Sequence, residues 1–149
     1  MDNVQKHAIV EEILTRAAEQ LGDITEAVMA VFYQEQPAAQ DVFKQHRPVD
    51  TGWLEAGMVE QTLYCFMDWF KSAGEIRMAI LGSVPHHVET LNVAVEHYHT
   101  LLEATATVVA NTIPPANTQE LAVWQEVGDN LHAVVDTANQ NVFRREATQ

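Results

Sequence analysis

Val84-Pro85-His86-His87-Val88-Glu89-Thr90-Leu91-Asn92-Val93-Ala94-Val95-Glu96-His97-Tyr98 is the stretch on which the reading of this chain turns. A short apolar segment arrives at two adjacent histidines. It crosses a corner carrying Leu91 and Val93, then enters a long apolar segment through Glu96 and Tyr98. Proline is tolerated at helix starts and breaks helix interiors, so Pro85 predicts the end of a short helix over residues 75–84. An imidazole at the end of a helix that stops in a corner can turn its ring into an apolar slot.

Outward from that corner the spacing is helical everywhere. Upstream, residues 52–71 bring Leu54, Met58, Val59, Thr62, Leu63, Phe66 and Phe70 onto one stripe. Downstream, residues 94–112 bring Val95, Tyr98, Leu101, Leu102, Thr105, Val108 and Val109. Ile113-Pro114-Pro115-Ala116 is a stop, after which Asn117 or Thr118 caps a last helix through about residue 142 with Leu121, Trp124, Val127, Leu131, Val134, Val135 and Ala138 inward. Arg144 and Arg145 suit the negative end of that helix. Near the start, residues 4–21 form a helix that Gly22-Asp23 ends, with Leu21 in its apolar stripe. Asp23 or Thr25 then caps a second helix over 24–36, and Pro37 opens a short one to Phe43. No run alternates with period two between turn residues, so strands are not supported. The chain reads as all-α, about seven helical pieces in a single domain over 1–149. Short interrupting helices at 37–43 and 75–84 disfavour a regular bundle and favour a wrap around a pocket.

Composition narrows the partners. Acidic residues number 21 against 8 basic, a formal charge of −13. Nucleic acid selects basic faces, and so does an anionic membrane surface, so neither is an expected partner. The single cysteine, Cys65, excludes an internal disulfide framework and a Cys-rich zinc site. The N-terminus has no basic-then-apolar signal pattern and the apolar runs are short, so a soluble, cytoplasmic protein is expected.

The common catalytic motifs are missing. There is no H-E-x-x-H helix, no Gly-rich phosphate loop and no serine in a G-x-S-x-G elbow; Ser72 and Ser83 are the only serines. Cys65 sits mid-helix among apolar neighbours, where a buried structural thiol is expected rather than a nucleophile. No catalytic residue is assigned on these grounds.

Taken together, these pieces resemble the globins, most closely the bacterial single-domain globins and the globin domain of flavohaemoglobins. In that family the proximal histidine is followed by a corner and then by Glu-x-Tyr at the next helix start, the order of His87 and Glu96-His97-Tyr98 here. Phe32-Tyr33 through Pro37 to Phe43 is similar to the family's second and third helices. Leu121-Ala122-Val123-Trp124 is similar to the tryptophan-bearing start of its last helix.

The resemblance implies a globin-like fold of about seven helices around a haem pocket, with 52–71 and 75–84 sandwiching one haem b. It places His87 as the iron ligand. His86 is the runner-up, because the corner is one residue longer than the family's. Phe43 matches the phenylalanine that packs on the haem face, and Tyr98 a tyrosine on the proximal side. Glu55 falls at the distal gate and Val59 one turn deeper, while Met29 stands where many bacterial globins hold a distal tyrosine. His46, beside Arg47, could reach a propionate or swing in as a sixth ligand. Asn141 replaces the last-helix glutamate that polarises the proximal histidine in flavohaemoglobins.

The function implied is binding of a diatomic gas (oxygen, carbon monoxide or nitric oxide) for sensing, scavenging or storage, with a reductase or a signalling partner. Two alternatives stand beside it. One is a haem-free globin-like interaction or sensor module. The other is a nitric-oxide dioxygenase, for which a separate reductase would have to supply electrons because no flavin or nicotinamide segment precedes Gln149. Methionine has no donor and an ionised glutamate only accepts, so Met29 and Glu55 predict weak dioxygen binding with carbon monoxide comparatively well held.

Overall fold

The computed structural model describes the backbone of residues 1–46, 51–89 and 93–148, and the side chains of 1–45, 51–88 and 93–141. Within them the chain is helical throughout, in the order α1 (Asn3–Leu21), α2 (Thr25–Glu35), α3 (Ala39–His46), α4 (Thr51–Glu89), α5 (Glu96–Ala110) and α6 (Thr118–Thr148).

The helix ends follow from local chemistry. Asp2 caps α1 by accepting the Gln5 amide, and the Gln5 side chain accepts the Asp2 amide in return, which satisfies two of the free donors at a helix start. Gly22 closes α1 at φ 65°, a backbone angle that a side chain would strain. Asp23 accepts the Thr25 amide at 2.9 Å, one residue ahead of the α2 N-cap, Ile24. That bond holds its carboxyl below the usual range. Asn117 accepts the Glu120 amide at 3.1 Å and so starts α6.

Six helices are found among the described residues where about seven were expected, and the difference lies in α4. The expected pieces 52–71 and 75–84 run into one another, divided only at Ser72, whose φ −142° and ψ 47° are not helical. The second half also passes through Pro85 to Glu89, beyond the expected stop at residue 84. Proline in a helix interior removes a backbone donor and crowds the carbonyl four residues back. Here Val84 and Pro85 are both buried, and that packing outweighs the loss.

Helix α6 packs along α4, α5 and α1, while α2 packs on α5 and α4. The α5–α6 pair is antiparallel. The Trp124 indole N–H donates to the Ala106 carbonyl near the connecting turn, whereas His99 and His132 meet at the far end. One continuous core results, with Val10 and Ile13 from α1, Phe32 from α2, Phe66 and Ile76 from α4, Val109 from α5 and Val127 and Leu131 from α6. Leu21, placed in the α1 stripe by its spacing, is exposed in the last turn of the helix. Across the α1–α6 seam, Arg16 forms a bidentate pair with the buried Glu120 at 2.7 and 2.8 Å. No helix among the described residues is long and apolar enough to cross a membrane.

Candidate functional site

The last turns of α4 carry His87 on the same helical face as Ser83, because residues four apart on a helix lie one above the other. The His87 Nδ1 lies 2.8 Å from the Ser83 carbonyl oxygen and 3.3 Å from its hydroxyl. A carbonyl only accepts, so the proton of the neutral ring is on Nδ1 and Nε2 keeps its lone pair. The same hydroxyl lies 2.7 Å from the Tyr98 phenol of α5, and the Tyr98 ring stands edge-on to His87 at 5.6 Å. Ser83 thus ties the ring of His87 to the first turns of α5. Burial pushes the Tyr98 phenol up to about 12, with the Ser83 bond opposing. His86 is exposed, with its ring 5.6 Å from that of His87 and perpendicular to it.

One residue before Tyr98, His97 turns into a second group. Its ring meets Phe32 edge-on at 5.9 Å and Phe43 at 6.4 Å, while Phe32 and Phe43 stack at 5.9 Å. Tyr33 completes the set at 5.5 Å from Phe32 and 6.2 Å from Phe43. The Tyr33 hydroxyl and the His97 Nδ1 are both buried without a hydrogen-bond partner among the described residues. Buried polar atoms in native proteins are nearly always paired, which makes two orphans in one aromatic group notable. Burial, then the nearby Glu55 carboxylate, pushes the Tyr33 phenol up to about 12. Burial pulls His97 below the ordinary imidazole range, with Glu96 opposing.

The sequence-derived candidates therefore fall into two neighbouring groups. His87 and Tyr98 sit together, and Phe43 sits with Tyr33, to which Glu55 is close; consecutive residues of α5, His97 and Tyr98, serve one group each. Met29 and Val59 are buried members of the common core. The side chain of His46, and all of Arg47, lie outside the described residues, as do the side chains of Arg144 and Arg145. Asn141 is half-buried on α6.

Ser83 and Tyr33 have no site role assigned from the sequence, and His97 only the general standing of one of seven histidines able to ligate a metal. Ser83 was legible in principle from its place four residues before His87. Tyr33 and His97 carried no such signal, since only the fold shows that the Tyr33 hydroxyl and the His97 Nδ1 lack partners among the described residues. Cys65 is a half-buried free thiol that burial pushes up to about 11, which fits a structural role. No three His, Cys, Asp or Glu side chains among the described residues converge so as to hold a metal ion by themselves.

No protein family, curated protein or solved structure matched this chain.

Proposed function

We propose that the chain binds one haem b through His87 and holds a diatomic gas on it. The observation that carries this reading is the hydrogen bond from the His87 Nδ1–H to the Ser83 carbonyl at 2.8 Å, which leaves the Nε2 lone pair free for a metal. A porphyrin supplies four ligands of its iron, so one oriented imidazole is the donor set that the group requires of the protein. The paired orphans Tyr33 Oη and His97 Nδ1, beside Phe43 and Glu55, fit a region that receives a further molecule. In this reading the fold is globin-like, with the break at Ser72 dividing α4 into two halves, the second of which carries His87.

The residues then have distinct tasks. His87 would hold the group through its Nε2. Ser83 fixes the orientation and tautomer of its ring through a neutral carbonyl. Tyr98 holds the Ser83 hydroxyl. Phe43 supplies an apolar face backed by Phe32. When bound, the group would supply an iron centre with affinity for small diatomic ligands. Because a carbonyl carries no full charge, His87 is less electron-donating than an imidazole bonded to a carboxylate. That favours reversible gas binding over peroxidase-like turnover.

Titration of the purified chain with haemin tests the reading. A one-to-one complex with a sharp Soret band is expected, along with a ferrous carbonyl spectrum typical of histidine ligation. His87→Gly should lose that spectrum and regain it with added imidazole, whereas His86→Ala should leave it unchanged. An unshifted haemin spectrum would overturn the reading and leave a haem-free helical interaction module. Loss in His86→Ala with retention in His87→Gly would move the ligand to the runner-up.

A further inference from the structure

A second polar cluster lies at the far end of the α5–α6 hairpin, apart from the His87 site. The His99 and His132 rings lie 4.9 Å apart and 16° from parallel, with Nδ1 facing Nδ1 at 2.7 Å. On its other side, the His99 Nε2 lies 2.9 Å from the Asp136 carboxylate. Two nitrogens at 2.7 Å must share one proton, since two lone pairs or two N–H groups there would repel. The carboxylate accepts only, so His99 donates from Nε2. In the neutral pair the His99 Nδ1 then accepts from the His132 Nδ1–H.

Adding protons has an unequal effect. With one extra proton the bond survives, because either ring can be the cation and donate to the neutral other. With two extra protons both Nδ1 atoms carry hydrogen, the bond is lost and two cations face each other. We propose that His99 and His132 form a proton-gated pin between α5 and α6, closed while the pair holds at most one charge and opened by the second proton.

The surrounding groups set how firmly the gate resists. Burial lowers the His132 imidazole below its ordinary range and the charge of His99 lowers it further, while Glu103, Asp136 and Asp129 oppose in that order. Glu103 comes from α5, and Asp129 and Asp136 from α6. Gln36, the residue after α2, meets this stretch of α5 by a neutral hydrogen bond to Thr100, and α4 meets α5 through the uncharged Ser83–Tyr98 pair. The α1 cations Lys6 and Arg16 are paired with Glu126 and Glu120 on α6. Asp136 is largely exposed, so its attraction is screened by solvent and does not cancel the repulsion between the rings. The direction of the linkage follows. The folded chain takes up the second proton less readily than the unfolded chain, so this contribution to stability is intact above the ordinary histidine range and is lost as pH falls below it.

The pin is independent of haem and is tested on the chain alone. Nitrogen-15 spectra of the histidine rings, recorded from pH 8 to pH 4.5, should show the pair titrating in two steps more than about one pH unit apart. The N–H···N coupling should persist through the first step and vanish in the second. Amide exchange in α5 and α6 near residues 99 and 132, corrected for its intrinsic pH dependence, should accelerate about tenfold or more across the second step and not the first. In His132→Gln that acceleration should be absent. Should this variant not fold, the wild-type titration decides by itself. Rings that titrate independently at one midpoint, or corrected exchange that stays flat across both steps, would overturn the pin.

Discussion

Two aromatic groups sit in this molecule and are finished differently. In one, Phe66 of α4 stacks on Trp124 of α6 at 4.6 Å, and the indole N–H is satisfied by the Ala106 carbonyl at 3.0 Å. In the other, Phe32, Tyr33, Phe43 and His97 pack at comparable spacing, yet the Tyr33 hydroxyl and the His97 Nδ1 have no hydrogen-bond partner among the described residues. Both groups bury large rings. Only the first is closed in hydrogen-bonding terms, and closure of that kind distinguishes a core built purely to hold helices together from one that retains unused recognition capacity.

The sharpest way to break this comparison is to cut into the closed group. Phe66→Ala removes a fully buried ring from the α4–α6 contact and should lower unfolding free energy by about 3–5 kcal/mol in a denaturant titration. A loss under about 1 kcal/mol would mean that the stack is not a main support. Trp124→Phe keeps an aromatic ring and removes the bond to Ala106. A smaller loss, about 1 kcal/mol beyond the change in ring size, is expected from the same measurement. In the open group the sign should reverse. Tyr33→Phe deletes a buried hydroxyl with no partner among the described residues, so the haem-free variant should match or exceed the parent, by up to about 1 kcal/mol. A clear loss there would show that the hydroxyl is satisfied in solution and that the contrast between the groups is false.

A separate effect is expected at alkaline pH. The Tyr33 and Tyr98 phenols are both held up to about 12, so the unfolded chain ionises them first, near the ordinary value. Stability from these groups is therefore complete below that value and declines as pH rises towards 12. Ultraviolet titration should show two late phenolate steps, of which Tyr33→Phe and Tyr98→Phe each remove one. Phenols that ionise at the ordinary tyrosine value would contradict the burial of both rings.

How much of this was legible in the sequence depends on the distance over which each cause acts. Helix α1 was readable because Gly22 and the stripe of Val10, Ile13 and Ala17 act within a few residues. Asn117 was readable as a cap for the same reason. The reach of α4 through Pro85 was not, because it depends on burial against distant helices, and a local rule for proline cannot weigh that. The candidate site divides along the same line. His87 and Tyr98 were named from their order in the chain, and the structure brings them together through Ser83. The orphaned state of Tyr33 and His97 is a property of the folded surroundings. The His99–His132 bond joins residues 33 positions apart on different helices, and nothing in either local sequence announces the other.

The break at Ser72 has a mechanical side. Fifteen residues separate Ser72 from His87, and at about 1.5 Å per residue the second half of α4 is an arm roughly 22 Å long. Rotating such an arm by about 5° at its base carries its tip through roughly 2 Å, on the scale of a hydrogen bond. The ring of His87 is held at that tip by Ser83 of the same arm, and Ser83 is anchored in turn by Tyr98 of α5. Torsion at one serine therefore moves the far end most, and the Ser83–Tyr98 contact, well out along the arm, resists it with a long moment arm.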